Sequence, residues 1–275
     1  MLDPAHRVSR LRQSWRALRA VVHLARGLAI TTFVFPRVDA VGRRALNRRW
    51  SARLLALLAV EPRVEGVIHD AGGNVLYTAN HVSWLDIFVL DAHSPARFIA
   101  KSELARWPLV GKLIRDTGTI FLERANKPDM LRVNALAADA LRQGDVLAVF
   151  PEGTTTNGTT LLKFHGSLLQ PAIDSLGYVQ PIALRYTYLD GSHSLAPEYA
   201  GDTSFARSFW RICGARGHVV EVIANPPVAA VAHTRRQLAD LSEAAIRGAL
   251  AMKARARPAS ATAPPAPGAN RGPRR

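Results

Sequence analysis

Short apolar runs alternate with segments of helical periodicity from Val64 to about Met252. The runs are rich in valine, isoleucine and aromatic residues, which is typical of buried strands. Such alternation predicts an α/β domain with a largely parallel mixed sheet that is flanked by helices. The predicted strands are NVLYTA (74–79), ARFIAK (96–101), TIFLER (119–124), VLAVF (146–150), VQPIALRYTY (179–188) and HVVEVIAN (218–225).

Five segments of this region repeat their apolar residues every three or four positions, which predicts amphipathic helices. They are SWLDIFVLDAH (83–93), ELARWPLVGKLIRDTG (103–118), PDMLRVNALAADALRQG (128–144), a segment around Ser167 to Leu176, and Thr234 to Met252.

The first 60 residues predict a hairpin of two helices, separated at Pro36 because proline interrupts helices. In the first helix a basic stripe recurs every three or four positions, and apolar residues fill the rest of the circumference. This pattern is typical of a helix in a membrane interface, although packing of both helices on the domain is an alternative. The stripe consists of Arg12, Arg16, Arg19, His23 and Arg26.

The second helix is predicted from about Ala40 to Val60. The uncharged run from Gly27 to Pro36 is shorter than the roughly 20 residues that a membrane-spanning helix needs. We therefore expect no transmembrane span, and a peripheral or monotopic protein on the cytoplasmic face of the inner membrane.

The net charge of +15 is concentrated at the two ends of the chain. Residues 1–60 carry +10 and residues 253–275 carry +6, so the domain between them, 61–252, is close to neutral. Basic ends attract anionic lipid or nucleic acid, but no aromatic stacking platform accompanies the arginines, which disfavours nucleic acid. The Ala, Pro, Gly and Arg composition of residues 253–275 predicts a disordered tail.

The stretch NHVSWLD, residues 80–86, follows a predicted strand and contains candidate catalytic residues. On a continuous helix, His81 and Asp86 would lie about 140° apart. They meet if His81 lies in the turn after the strand and Asp86 lies in the first turns of the next helix. Ser83 and Asp86 also have capping-box spacing, which explains the aspartate without catalysis.

Two further polar features follow predicted strands: the loop PEGTTTNGTT (151–160) and Arg124. Ligands in α/β sheets bind at the carboxyl ends of the strands. Glycine lets a backbone N–H approach a ligand closely, and arginine donates several hydrogen bonds to phosphate. Each feature alone also fits an ordinary turn or a solvated charge, but together with His81 they predict one pocket.

The order NHVSWLD, GTIFLER, FPEGTTT and QPIAL resembles the four successive motifs of the glycerolipid acyltransferase family, typified by 1-acylglycerol-3-phosphate acyltransferases. The resemblance covers roughly Val64 to Val228. It implies that His81 is the catalytic base and that Asp86 orients it. It also implies that Arg124, Glu152 and Gly153 bind the glycerol phosphate. Thr154 and Lys101 are further candidate substrate-binding residues.

The implied reaction moves a fatty acyl group from acyl-CoA or acyl carrier protein to the free hydroxyl of 1-acyl-sn-glycerol-3-phosphate, giving phosphatidic acid. We expect membrane lipids as partners and neither a cofactor nor a metal, since His81 and Asp86 lack a third ligand at a usual spacing.

The third motif departs from the family pattern, because many members have Arg-Ser where this chain has Thr155 and Thr156. One cation directed at phosphate is therefore missing, and Lys101 or Lys163 is the candidate replacement. Another lysolipid acceptor, such as lyso-ornithine lipid, stays open for this reason. A non-catalytic membrane or nucleic-acid binding protein is a third alternative, which the intact motif residues disfavour.

Overall fold

The computed structural model describes residues 4–70, 72–107, 110–123 and 126–255, and these form an eight-stranded sheet. The strands are β1 Val60–Glu65, β2 Val75–Ala79, β3 Arg97–Lys101, β4 Ile120–Leu122, β5 Val146–Val149, β6 Tyr178–Thr187, β7 His218–Ala224 and β8 Val228–Ala229. Their order in the sheet is β1-β7-β6-β2-β5-β3-β4, with β8 paired to β6.

The sheet is mixed and largely parallel, as predicted. Strand β2 lies parallel between β5 and β6, and β3 and β4 continue the parallel part. Strands β7 and β8 run antiparallel to β6. All six predicted strands are present, and the carboxyl ends of β2, β3, β4, β5 and β6 meet at one edge, where α/β proteins place their sites.

The helices are α1 Arg10–Ala29, α2 Ala40–Leu57, α3 Leu85–Asp91, α4 Val110–Asp116, α5 Lys127–Arg142, α6 Gln170–Asp174, α7 Phe205–Gly214 and α8 Arg235–Arg255. The predicted helix over residues 103–118 is divided into a 3₁₀ turn, Ser102–Arg106, and α4. Trp107 between them is extended because a following proline disfavours helical backbone.

The structure differs from the sequence predictions at the ends of two helices and in two elements that were not predicted. Helix α2 ends at Leu57, and Ala59 adopts a left-handed conformation that turns the chain into β1, which the sequence pattern missed. Helix α7 was also missed. Helix α8 continues to Arg255, so the first three residues of the predicted tail are helical, and residues 256–275 lie outside the described part of the chain.

The sheet separates two hydrophobic layers, because alternate residues of a strand point to opposite faces. In β2, Val75, Tyr77 and Ala79 join a core with residues of α2, α3 and α7. Leu76 between them joins the opposite core, which α5, α6 and α8 complete. The domain is therefore a sheet between two helical layers, as the α/β prediction required.

Helix α1 packs on the domain through one face. Gln13 donates to the Trp210 carbonyl at 2.8 Å, and Arg16 donates to the carbonyls of Cys213 and Ala215, which are end groups of α7. His23 is buried, stacks on Trp50 of α2 at 4.8 Å and donates to its carbonyl.

The predicted basic stripe is therefore wrong for two of its five members. Arg16 and His23 face the protein, because helix ends and aromatic rings provide them with partners there. Arg12, Arg19 and Arg26 are exposed.

The uncharged run from Gly27 to Pro36, by itself too short to span a membrane, is continuous with α1. Together they form a helical stretch, Arg10–Arg37, of 28 residues, which by length and composition alone is apolar enough to cross a bilayer. Within it, Gln13 and His23 contact α7 and α2, so this stretch lies along the domain surface.

Helix α2 is joined to α3 by a buried carboxyl group. Asp91 accepts hydrogen bonds from the Asn47 side chain and from the Ala96 backbone N–H, both at 3.0 Å. Burial raises the pKa of Asp91 to about 7, and the two hydrogen bonds oppose this rise. Because the folded-state pKa is raised, the stability contributed by the protonated carboxyl is present at low pH and is lost as the pH rises through about 7.

We predict that the wild-type protein loses about 2 kcal/mol of unfolding free energy relative to Asp91→Asn between pH 5 and pH 8. Denaturant unfolding at several pH values measures this difference. The exposed surface variant Asp139→Asn is the control and should follow the wild type. If the unfolding free energies of the wild type and of Asp91→Asn change in parallel with pH, the raised pKa of Asp91 is wrong.

Candidate active site

The loop after β2 is held against β6 by Asn80. Its side-chain amide donates to the Leu184 carbonyl at 2.9 Å, and its oxygen accepts from the Leu184 N–H at 2.7 Å. These two bonds imitate a pair of backbone ladder bonds and continue the β2–β6 pairing for one more residue. His81 is consequently presented at the carboxyl edge of the sheet.

His81 and Asp86 meet as the sequence predicted. Asp86 lies in the first turn of α3, and its Oδ2 is 2.8 Å from His81 Nδ1. The histidine side chain is 21% exposed, whereas the aspartate is fully buried. The ring is thus accessible from solvent while its partner is not.

The carboxylate of Asp86 accepts four hydrogen bonds. Besides His81, its Oδ2 accepts from the N–H groups of Val82 and Ser83 at 2.8 and 2.9 Å, and its Oδ1 accepts from Tyr186 Oη at 2.7 Å. Only half of the expected capping box forms. Ser83 N–H donates to Asp86, but the Ser83 hydroxyl accepts from Leu85 N–H, and Trp84 is the residue that precedes the helix. The structural explanation of Asp86 and its proposed catalytic role are compatible, because the carboxylate that closes this turn also contacts His81.

This arrangement determines the tautomer of His81. Backbone N–H groups can only donate, so Oδ2 is an acceptor and Nδ1 of His81 carries the hydrogen. Nε2 then holds the lone pair, and within the described residues nothing is hydrogen-bonded to it. A histidine with an oriented ring and an accessible lone pair is suited to general-base catalysis.

Phe150 covers one face of the imidazole. The two rings are stacked at 3.9 Å with an interplanar angle of 9°, and Phe98 stacks behind Phe150 at 6.0 Å. This contact resists rotation of the His81 ring out of the plane that faces Asp86. Phe150 directly precedes the Pro-Glu-Gly turn in sequence, but no sequence pattern indicated that it would stack on the His81 ring.

The loop after β5 holds the backbone of His81. Glu152 is buried, and its two carboxylate oxygens accept from the N–H groups of His81 and Leu162 at 2.7 and 2.9 Å. Thr156 N–H donates to the His81 carbonyl at 2.8 Å. Burial raises the pKa of Glu152, and its two backbone hydrogen bonds oppose the rise. Direct contact of Glu152 with a substrate stays a prediction, since both oxygens bind backbone here.

The other predicted substrate-binding residues are placed as follows. Gly153 has φ of +76°, which only glycine adopts without strain, and it turns the chain away from Glu152. Thr154 is exposed after it, and Lys101 is exposed at the end of β3. Arg124 lies outside the described residues. The roles of all four in binding stay predictions.

Lys163, the alternative cation, lines a cavity of about 280 Å³ between the loop after β5 and the start of α8. Arg235 and Arg236 line the same cavity. His165 also lines this cavity, and the backbone N–H of His165 donates to the Pro151 carbonyl at 3.0 Å. The cavity is therefore adjacent to the Glu152 turn, and its three cations outnumber the one carboxylate that lines it, Asp240.

Tyr186 is a site residue that the sequence analysis missed. It shares a face of β6 with Ile182 and Leu184, so the strand period of two predicts that it is buried in the same core. A buried tyrosine hydroxyl needs a partner, and this rule would have drawn attention to Tyr186. Among the described residues, no group of three or more His, Cys, Asp or Glu side chains is arranged to hold a metal ion.

These features define an α/β protein that presents a histidine paired with a buried aspartate at the carboxyl edge of its sheet. The profile of the acyltransferase family matches residues 61–185. The lyso-ornithine lipid O-acyltransferase of Pseudomonas aeruginosa is 35% identical over 249 residues, which cover 88% of this chain and 95% of that protein. The 1-acyl-sn-glycerol-3-phosphate acyltransferase of Neisseria gonorrhoeae is 38% identical over 201 residues, which cover 72% and 77%.

The chain therefore belongs to the acyltransferase family, and the protein is an enzyme of that family. Its fold is also that of the 1-acyl-sn-glycerophosphate acyltransferase of Thermotoga maritima, with a TM-score of 0.61 at 20% identity. This likeness covers 86% of this chain and 97% of that chain.

We predict that Asp86→Asn lowers kcat by about 10²- to 10⁴-fold, because an amide cannot accept from all four donors and also stabilise an imidazolium. Steady-state acyl transfer measures the loss. Asp91→Asn is the matched control, because Asp91 is a second buried aspartate of α3 and does not contact His81. If Asp86→Asn keeps the activity of Asp91→Asn, the pairing has no catalytic importance.

Proposed function

We propose that the protein transfers an acyl group from a thioester to the free hydroxyl of a lysolipid, with His81 as general base. The observation that carries this proposal is the contact of His81 Nδ1 with the buried Asp86 carboxylate, which leaves Nε2 to accept a proton.

In the proposed reaction the lysolipid hydroxyl gives its proton to His81 Nε2 while its oxygen attacks the thioester carbonyl carbon. The carbon–sulfur bond then breaks, and the departing thiolate takes the proton from the imidazolium. A positioned base of this kind contributes about 10²- to 10⁴-fold. Asp86 stabilises the imidazolium that forms between the two proton transfers.

The donor is proposed to be acyl-CoA or acylated acyl carrier protein. Both carry the acyl group as a thioester, and both are acidic. The cationic cavity of Lys163, Arg235 and Arg236, next to the Glu152 turn, provides charge complementary to either donor.

The first candidate acceptor is 1-acyl-sn-glycerol-3-phosphate, which would give phosphatidic acid. The Neisseria relative that bears this substrate in its name supports it. A phosphate group in the pocket needs cations, and Arg124, Lys101 and Lys163 are the proposed sources.

The second candidate acceptor is lyso-ornithine lipid, and a specific feature of the loop after β5 favours it. Residues 153–160 contain no lysine or arginine. Thr155 donates its hydroxyl to the Tyr199 carbonyl, and Thr156 is buried. Residues 153–160 therefore offer no charge for a phosphomonoester, and the Pseudomonas relative named for lyso-ornithine lipid matches along 95% of its length.

We predict that acyl transfer occurs to a lysolipid and that His81→Ala abolishes it while the protein stays folded. Assays of each lysolipid with acyl-CoA and with acyl carrier protein thioesters identify the acceptor and the donor. Arg124→Ala should raise KM for the phosphate acceptor more than it lowers kcat, and should leave KM for lyso-ornithine lipid unchanged. Near-normal turnover by His81→Ala would reject the proposed base.

We also propose that α1 attaches the protein to a membrane surface, where a lysolipid substrate resides. Its outer face exposes a row of apolar side chains spaced by four, three and four residues, next to the exposed Arg12, Arg19 and Arg26. Apolar contact with acyl chains combined with arginine contact to anionic headgroups is the physical basis of interfacial binding. The row consists of Leu11, Trp15, Leu18 and Val22.

We predict that replacing Trp15, Leu18 and Val22 together by glutamine weakens binding to anionic liposomes by about 100-fold, since the three side chains together lose apolar contact worth about 3 kcal/mol. Liposome sedimentation measures binding. Deletion of residues 1–60 is a poorer test, because Trp50, Leu54 and Leu55 belong to the core. Leu131→Gln, an exposed leucine of α5, is the control. Equal sedimentation of the triple variant and this control would contradict the proposal.

A further inference from the structure

The hydroxyl of Tyr186 is hydrogen-bonded to the oxygen of the Asp86 carboxylate that His81 does not contact. Its hydroxyl donates to Oδ1 at 2.7 Å, whereas His81 Nδ1 binds Oδ2. The tyrosine is 1% exposed, and it lies on β6 beyond the point where β2 ends. The position of this hydroxyl is set by the sheet, independently of the loop that carries His81.

We propose that Tyr186 is a positioning residue of the acyl-transfer site, which adjusts the basicity of His81 through Asp86. This inference rests on the proposed role of His81 as general base. The tyrosine touches neither the substrate nor the imidazole.

The hydroxyl affects the carboxylate in two ways. It fixes the rotation of the carboxylate, so that Oδ2 stays in reach of His81 Nδ1 and of the two backbone N–H groups. It also draws negative charge toward Oδ1, which weakens the attraction of the carboxylate for an imidazolium. Without it, His81 would hold its proton more tightly and would be less well oriented.

Tyr186 can act only as a donor over the working range. Burial, followed by the neighbouring Asp86 charge, raises the pKa of Tyr186 far above its ordinary value. The hydrogen bond therefore does not switch with pH, and its effect is a constant adjustment of the pair.

Other ionisable groups near the pair are few among the described residues. Glu152, from the loop after β5, binds the backbone N–H of His81. His193 lies further out, with its Nε2 donating to the Asn157 carbonyl at 3.1 Å and its ring against Gly158. Neither is hydrogen-bonded to the Asp86 carboxylate. Among the described residues, its side-chain hydrogen-bond partners are His81 and Tyr186.

The test is the pH dependence of kcat/KM for Tyr186→Phe, whose acid limb reports the pKa of the free base. We expect this limb to move up by about 0.5 to 1 pH unit, because the carboxylate loses a donor. We expect kcat at the optimum to fall about tenfold. Replacing Tyr186 by 3-fluorotyrosine, a stronger donor of the same shape, should move the limb in the opposite direction.

Tyr77→Phe is the matched control. Tyr77 is also fully buried in the same core, and its hydroxyl bonds the His69 carbonyl and Ser94 at 2.9 and 2.8 Å, away from Asp86. This variant should lose stability as any buried hydroxyl deletion does, and its acid limb should coincide with that of the wild type.

Two results would overturn the inference: an unmoved acid limb in both Tyr186 variants, or the same shift in Tyr77→Phe. A purely structural role for Tyr186 would lower activity at every pH without moving the limb. Assay of His81→Ala alongside separates the two proposals. If His81→Ala is active, the proposed base is wrong, whereas an inactive His81→Ala with an unmoved limb rejects only the role of Tyr186.

Discussion

One buried carboxylate carries the organisation of the site. Asp86 accepts hydrogen bonds from the His81 ring, from two backbone N–H groups and from Tyr186, so both of its oxygens have partners. A buried carboxylate without these partners would be costly. The bonds that make its burial tolerable also close the turn into α3, fix the imidazole tautomer and tie the turn to β6. Structural stability and catalytic geometry are therefore the same set of contacts.

The sheet explains why distant motifs serve one histidine. Because β2 lies between β5 and β6, the loop after β5 reaches the His81 backbone from one side and β6 reaches Asp86 from the other. Glu152 and Phe150 hold the backbone and one ring face of His81, and Tyr186 holds the carboxylate. The N-terminal helices occupy one face of this domain, and the exposed apolar row of α1 would bring the site to a lipid surface.

Much of this arrangement was predictable from the sequence. Short runs rich in valine, isoleucine and aromatic residues predicted the strands, and the turn after NVLYTA predicted the contact of His81 with Asp86. Strand β1 was missed because its charges alternate around Pro62. Helix α7 was missed although Phe205, Phe209 and Ile212 recur at helical spacing. Arg16 and His23 face inward because α7 carbonyls and Trp50 provide partners that no helical pattern shows. Tyr186 acts from a strand 100 residues away in sequence, so only the fold brings it to Asp86.

The central claim is that Asp86 holds the hydrogen of His81 on Nδ1 and leaves Nε2 as the base. Nitrogen-15 NMR of the histidine rings tests it most directly, with the His81 signal assigned by its loss in His81→Ala. The account predicts that, in the neutral imidazole, Nδ1 is protonated and Nε2 has the chemical shift of an unprotonated nitrogen. A spectrum with the hydrogen on Nε2 would contradict it.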